Sequence, residues 1–271
     1  MLGSPVRASR AVGGGSICEA RRLQLADGRS IFVKEARGAP PGLFPAEAEG
    51  LAALGAAGGP RVPAVLAVEE RFLALEDLGA GRASKGDWEH FGHALARLHR
   101  QSAEGFGFAA DNFIGRTPQP NGWMADGPTF FAERRLLHLG RACRDERGLD
   151  RRTLQALESI ARRLPELLPD EPPALLHGDL WTGNVHPCAS GEIALIDPAA
   201  HFGYREADLA MTSLFGSLPA AFHAAYESAW PLAPGARERV SLFNLYHLLN
   251  HLLLFGGGYR ASVEQTARRW A

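Results

Sequence analysis

Between Lys85 and Gln101 the apolar residues Trp88, Phe91, Leu95 and Leu98 recur every three or four positions, which gathers them on one face of a helix. The first third of the chain follows a different rhythm. Residues 10–36 read as two strands with turns, since Arg21 to Leu25 and Ser30 to Lys34 flank Asp27-Gly28, a pair suited to a tight hairpin. Residues 45–55 begin with Pro45, are rich in Ala, Glu and Leu, and stop before Gly58-Gly59-Pro60, which predicts a helix. Val62 to Val68 and Arg71 to Leu75 predict two further strands.

Beyond Gly79–Gly81 the pattern turns helical. Residues 105–128 are rich in Gly, Pro and Asn, yet they carry Phe106, Phe108, Phe113, Ile114 and Trp123, so an ordered, packed loop is expected. Helices are expected over 128–146 and 150–168. Two short apolar runs follow, Ala174 to Leu176 and Ile193 to Ile196, with a polar loop between them. After Arg205 everything reads as helix, interrupted at Pro219, at 231–234 and at 256–258. A small strand-rich part with one helix, then a larger helical part with a short β insertion, predicts an α+β protein of two lobes with a cleft between them. The boundary is expected near residue 77, giving a first lobe over 1–77 and a second over 78–271.

Composition narrows the classes. Hydrophobic residues make up 46% of the 271 positions, enough for one or two packed cores, and the net charge is −1. That balance argues against nucleic acid as a partner held by the overall field. The most apolar late stretch, Leu245 to Phe255, is broken by His247, Asn250 and His251 and is too short for a bilayer, so no membrane partner is expected. Cys18, Cys143 and Cys188 are widely spaced and odd in number, which points to neither a disulfide framework nor a metal knuckle and suits a reducing, cytoplasmic compartment.

The strongest chemical signal is His177-Gly178-Asp179-Leu180-Trp181-Thr182-Gly183-Asn184. Asp179 and Asn184 have the spacing of the catalytic loop H-R-D-x-x-x-x-N, with Gly178 in place of Arg. A loop leaving a strand can set a carboxylate against a substrate hydroxyl, and five residues later a side-chain amide oxygen against a metal ion. Thirteen residues on, Asp197 closes the run Ile193–Ile196, where such enzymes place a second magnesium ligand. Upstream, Lys34 ends Ile31-Phe32-Val33-Lys34, as does the lysine that contacts nucleotide phosphates. The chain holds only two lysines, Lys34 and Lys85, among many arginines, which favours a need for a compact point charge. Glu47 on the next helix is the expected ion-pair partner of Lys34, with Glu49 as its rival. Gly14, Gly15 and Ser16 precede Lys34 as a phosphate-covering turn would. The backbone of Glu76, Asp77 and Leu78, between the lobes, could bond the edge of a nucleotide base.

Through these motifs the chain closely resembles the fructosamine kinase (ketosamine-3-kinase) family, in the aminoglycoside-phosphotransferase-like branch of the protein-kinase-like fold. The resemblance runs through IFVKEA, LFPAEAEGLAAL, FGFAADNFIGRTPQPNGW, LLHGDLWTGNV, IDPAAHFGYREADLAMTSLFG, AAYESAWPL and NLYHLLNHLLLFGGGY. It implies ATP- and Mg2+-dependent phosphorylation of the 3-hydroxyl of a ketosamine, on a small glycated amine or a glycated protein. The product ester is unstable and eliminates, which frees the amine. It also implies Asp179 as base, Asn184 and Asp197 as Mg2+ ligands, and Lys34 with Glu47 as the phosphate grip. Some family members carry a redox-active cysteine in the phosphate turn; here that place falls on Ser16, with Cys18 two residues later.

The acceptor pocket stays open at this level. Trp181 either packs on a sugar ring or braces the catalytic loop. His247 and Asn250 share a helix face and either line the cleft or satisfy each other in the core. Asp208 is expected to anchor the catalytic loop. A kinase for an aminoglycoside, choline or homoserine uses the same central motif, and a non-catalytic nucleotide-binding scaffold is the remaining alternative.

Overall fold

The computed structural model describes residues 3–13 and 18–271. The first part is a five-stranded antiparallel sheet of β1 (Val6–Val12), β2 (Glu19–Leu25), β3 (Ser30–Glu35), β4 (Val65–Glu69) and β5 (Phe72–Glu76), in the order β1-β2-β3-β5-β4. The two strands expected within 10–36 are β2 and β3, joined where Gly28 takes a φ of 89°. β1 precedes them at the sheet edge. Its side chains are exposed on both faces, so its sequence carries no alternation to read. β3 is the middle strand. It pairs Lys34 with Ala20 on one side and with Leu73 on the other.

Helix α1 (Leu43–Ala56) lies between the sheet and the rest of the molecule. Phe44 and Leu51 pack with Leu73 and Leu75 of β5. On its other flank Gly50 is so close to Pro198 and Ala200 that a β-carbon there would sit 3.3 Å from each. The helix is thereby seated against the segment that carries Asp197.

The helical part begins with α2 (Lys85–His99), started by a capping box between Ser84 and Asp87. The 105–128 loop is ordered, as its aromatics predict, and contains a short hairpin of β6 (Asn112–Ile114) and β7 (Thr117–Gln119). The helix expected over 128–146 is α3 (Gly127–Phe131) running into α4 (Leu137–Arg147) through a π turn at Ala132–Leu136, and α5 (Arg151–Leu167) follows. Next come β8 (Ala174–Leu176), a 3-10 turn at Thr182–Asn184, β9 (Val185–Pro187), β10 (Ile193–Leu195) and β11 (His201–Gly203). β9 pairs with β10 and β8 with β11, so the polar loops hang between short ribbons. The chain closes with α6 (Arg205–Met211), α7 (Ala220–Ala229), α8 (Ala236–Phe255) and α9 (Arg260–Trp270), interrupted where Pro219, residues 231–234 and residues 256–258 predict. Among the described residues no helix is long and apolar enough to cross a membrane.

Two apolar clusters fill this part. One joins α3, α4, α5, α8 and α9. The other joins α2 and α7 to β8 and β10, with Phe91 and Phe222 at 5.3 Å between ring centroids. Gly92 lets α2 and α7 meet: a β-carbon there would fall 2.5 Å from the Phe222 carbonyl oxygen. Gly92→Ala should therefore lower stability by about 1–3 kcal/mol through forced separation of the helices. Urea unfolding checks this, and a variant as stable as the parent contradicts the close approach.

Candidate active site

Three charged groups from distant parts of the sequence meet at Lys34. Its Nζ lies 2.7 Å from Glu47 Oε1 on α1 and 2.7 Å from Asp197 Oδ1 on the loop after β10. Lys34 is 7% exposed. Burial opposes its charge, but Asp197 and Glu47 outweigh that cost and hold it above the ordinary lysine range. The arrangement selects Glu47 over Glu49 as the partner.

Asp197 takes a φ of 57°, the one non-glycine residue in the left-handed region among the described residues. Short polar side chains tolerate that region best, and the conformation turns the chain sharply.

The catalytic-type loop is fixed from beneath. Asp208 of α6, 1% exposed, accepts hydrogen bonds from the backbone N–H of His177 (2.7 Å) and of Gly178 (2.8 Å). Burial would raise its pKa, yet the bond from His99 and these amides bring it below the usual carboxylate value. His99 of α2 stands 3.2 Å from Asp208 and 2.8 Å from the Tyr226 hydroxyl of α7, so the contact of α2 with α7 supports the loop directly. α6 is itself pinned on two sides. Arg205 makes a two-pronged pair with Glu171 (2.9 and 2.7 Å), and Glu206 makes another with Arg239 (2.7 and 2.6 Å). The loop anchor expected of Asp208 is present. His99 and Tyr226 were not legible as its supports, because their proximity depends on helix packing.

His177 is buried and kept neutral by that burial. Its Nδ1 accepts from the Asp179 N–H (3.2 Å), which leaves Nε2–H to donate to the Ile196 carbonyl (2.8 Å). One ring thus ties the Asp179 loop to the Asp197 loop. Gly178 occupies the position given to Arg in other loops of this spacing because of contact: at φ 83°, a β-carbon would lie 2.1 Å from the Ala199 carbonyl oxygen.

Asp179 and Asn184 come together as their spacing predicts. Asn184 Nδ2 donates to the Asp179 carbonyl (2.9 Å) and to its Oδ2 (3.1 Å). Burial, followed by the nearby charge of Asp197, pushes the Asp179 carboxyl up to about 7. Trp181 is half-buried, edge-on to Phe215 at 6.4 Å, with its ring over Gly183, where a β-carbon would lie within 2.3 Å of it. Trp181 therefore braces the loop, and the Thr182 hydroxyl does the same by donating to the Phe215 carbonyl (3.0 Å). Phe215 continues to His251 (4.4 Å), which reaches Tyr259 (5.1 Å), a run of rings that the sequence did not reveal.

Other expected positions fall elsewhere. Gly14, Gly15 and Ser16 lie outside the described residues. The side chains of Glu76 and Asp77 are engaged in ion pairs, Glu76 with Arg61 (2.6 Å) and Asp77 with Arg22 (2.6 Å). The Leu78 carbonyl accepts from the Ala189 N–H (3.1 Å), which seats this segment on the helical part. His247 and Asn250 do not join the cleft. They are 3% and 2% exposed inside α8, and neither satisfies the other: His247 Nδ1 and Asn250 Oδ1 have no partner. Helix spacing put them on one face, and that face turned out to be the core. Cys18 is a free, half-buried thiol packed beside the Phe44 and Leu51 cluster, and burial raises its pKa.

The donor set can be matched to a cation. Asn184 spends its Nδ2 on Asp179, which leaves Oδ1 as its ligating atom, and Asp197 adds a carboxylate. Among the described residues no group of three or more His, Cys, Asp or Glu could hold a metal by itself. Two oxygen ligands suit Mg2+, which keeps waters and takes phosphate oxygens, and do not suit a zinc or copper site.

Residues 2–270 match the family model described as fructosamine kinase. A Synechocystis protein described as a probable ketoamine kinase is 40% identical over 98% of this chain and 92% of its own length. The chloroplastic protein-ribulosamine 3-kinase of Arabidopsis thaliana is 37% identical over 93% of this chain and 79% of its own. The solved structure of a candidate fructosamine-3-kinase from Thermobifida fusca superposes with a TM-score of 0.91 at 41% identity, covering 98% of this chain and 94% of that one. The architecture is two-lobed and kinase-like, and the chain belongs to the fructosamine kinase family.

Proposed function

We propose that this protein is an ATP-dependent kinase that phosphorylates the 3-hydroxyl of ketosamines, such as ribulosamine and fructosamine adducts, and so leads to release of the free, deglycated amine. The observation that carries this reading is the connected group of Lys34, Asp197, Asn184 and Asp179: a cation and an acid 2.7 Å apart beside an amide and a second acid 3.1 Å apart. In this reading the sheet and α1, with the segment up to residue 77, form the nucleotide lobe, and residues 78–271 form the acceptor lobe. Lys34, kept charged by Glu47, holds the donor phosphates. Gly14, Gly15 and Ser16 cover them, and the backbone of 76–78 meets the base. Asp179 accepts the hydrogen bond of the sugar hydroxyl and takes its proton as the hydroxyl oxygen bonds to the γ-phosphorus of ATP and the bond from that phosphorus to the ADP oxygen breaks. Asn184 and Asp197 would hold Mg2+, which supplies charge neutralisation on the phosphates. The acceptor lies along Trp181 and Phe215, whose rings suit the apolar face of a sugar.

Phosphoryl transfer asks the protein for position and charge more than for covalent chemistry. Asp179→Asn should accordingly reduce turnover by about 10²–10⁴-fold while leaving the fold intact. An ADP-release assay over ribulosamine, fructosamine, choline and an aminoglycoside reads both the activity and the acceptor. Turnover of the aminoglycoside alone contradicts the ketosamine reading, and a mutant within threefold of the parent removes Asp179 as base.

The raised pKa of Asp179 sets a pH dependence. The base works ionised, so kcat/KM should fall as pH drops through about 7, the value to which burial pushes the carboxyl. A profile flat down to pH 5 contradicts this assignment.

A further inference from the structure

The segment Gln119-Pro120-Asn121 has so far no role in the chemistry. Gln119 is 1% exposed and Asn121 is fully buried, so neither can touch an acceptor. Together with Asn112, across the β6–β7 hairpin, they form a buried chain of amides. Asn112 Nδ2 donates to the Ala200 carbonyl (2.8 Å), and Gln119 Nε2 donates to the Ala199 carbonyl (3.1 Å) and to Asn112 Oδ1 (2.8 Å). Asn121 Nδ2 also donates to Asn112 Oδ1 (2.8 Å). The two carbonyls belong to the residues that directly follow Asp197-Pro198.

The polarity of this chain is set from its far end. Arg135, which can only donate, gives its Nη2–H to Asn121 Oδ1 (2.7 Å) and its Nη1–H to the Pro120 carbonyl (2.8 Å). Asn121 must then present its amide nitrogen to Asn112 Oδ1, and Asn112 must present its own nitrogen to Ala200. The Tyr246 hydroxyl fixes Gln119 in the same sense by donating to Oε1 (2.6 Å). Arg135 sits in the π turn at Ala132–Leu136, is 1% exposed, and rests on Phe130 with its guanidinium 4.6 Å from the ring. Its hydrogen-bond acceptors are all neutral oxygens, from Pro120, Arg134 and Asn121. Burying a guanidinium on neutral partners is costly, and π turns concentrate where function tolerates such costs.

What the chain acts on needs holding. Asp197 stands in the left-handed region, a conformation that relaxes unless its flanks are fixed. Upstream, the Ile196 N–H donates to the Asn184 carbonyl (3.1 Å) and His177 donates to the Ile196 carbonyl (2.8 Å). Downstream, Ala199 and Ala200 are held by the hairpin amides. The geometry points to Gln119, Asn112, Asn121 and Arg135 as positioning residues that keep Asp197 turned toward the cation and Lys34. This rests on the reading of Asp197 as a cation ligand.

Calorimetric titration of ADP with and without Mg2+ tests it without turnover. Gln119→Met should reduce the gain in ADP affinity that Mg2+ gives by about fivefold, the scale of one lost hydrogen bond. Its ADP affinity without Mg2+ and its KM for ketosamine should stay within about twofold. Tyr246→Phe should act in the same direction with a smaller effect, and it carries the test alone if Gln119→Met fails to fold. Ile160→Val, a buried change in α5, serves as the control for general destabilisation. Wild-type Mg2+ gain in both Gln119→Met and Tyr246→Phe, or an equal loss in Ile160→Val, overturns the inference. A wild-type protein whose ADP affinity ignores Mg2+ overturns the ligand reading of Asp197, and the inference with it.

Discussion

A buried ammonium shared by two carboxylates is the contact on which the rest of the molecule depends. Lys34 belongs to the middle strand of the sheet, Glu47 to the helix that covers it, and Asp197 to a loop of the helical part. Two acids share the one cation, so loss of Lys34 would leave Glu47 and Asp197 without their common counter-charge. The group therefore holds the two parts of the chain in register. The same three side chains make a field in which a polyphosphate finds a cation and a metal-binding acid side by side. Gly50 reinforces this by letting α1 rest on Pro198 and Ala200.

The second half of the site is built by layers of support. Asp179 and Asn184 sit on a loop whose first two amides are held by Asp208. Asp208 is held in turn by His99 and by the ion pairs that fix α6. Burial that raises the pKa of Asp179 is a consequence of this enclosure, and a carboxylate poised near neutrality is suited to accept a proton from a hydroxyl.

Much of this was legible in the residues because the chemistry is local in sequence. The spacing of Asp179, Asn184 and Asp197, the strand ending in Lys34 and the hairpin at Asp27-Gly28 each reflect a few consecutive positions. β1 was not legible, since an exposed edge strand has no buried face to imprint a period. Whether His247 and Asn250 face the cleft or the core was not legible, because helix periodicity gives a shared face but not its direction. The support from His99, Tyr226 and Arg135 arises from contacts between elements far apart in sequence, which no local pattern records.

The central claim is that these groups transfer a phosphoryl group to the third carbon's hydroxyl of a ketosamine. Phosphorus NMR on protein, MgATP and a ribulosamine tests it most directly. The account predicts a new phosphomonoester resonance coupled to the proton on that carbon, appearing with ADP and absent with Asp179→Asn. Formation of inorganic phosphate alone, or of an ester at another carbon, would contradict it.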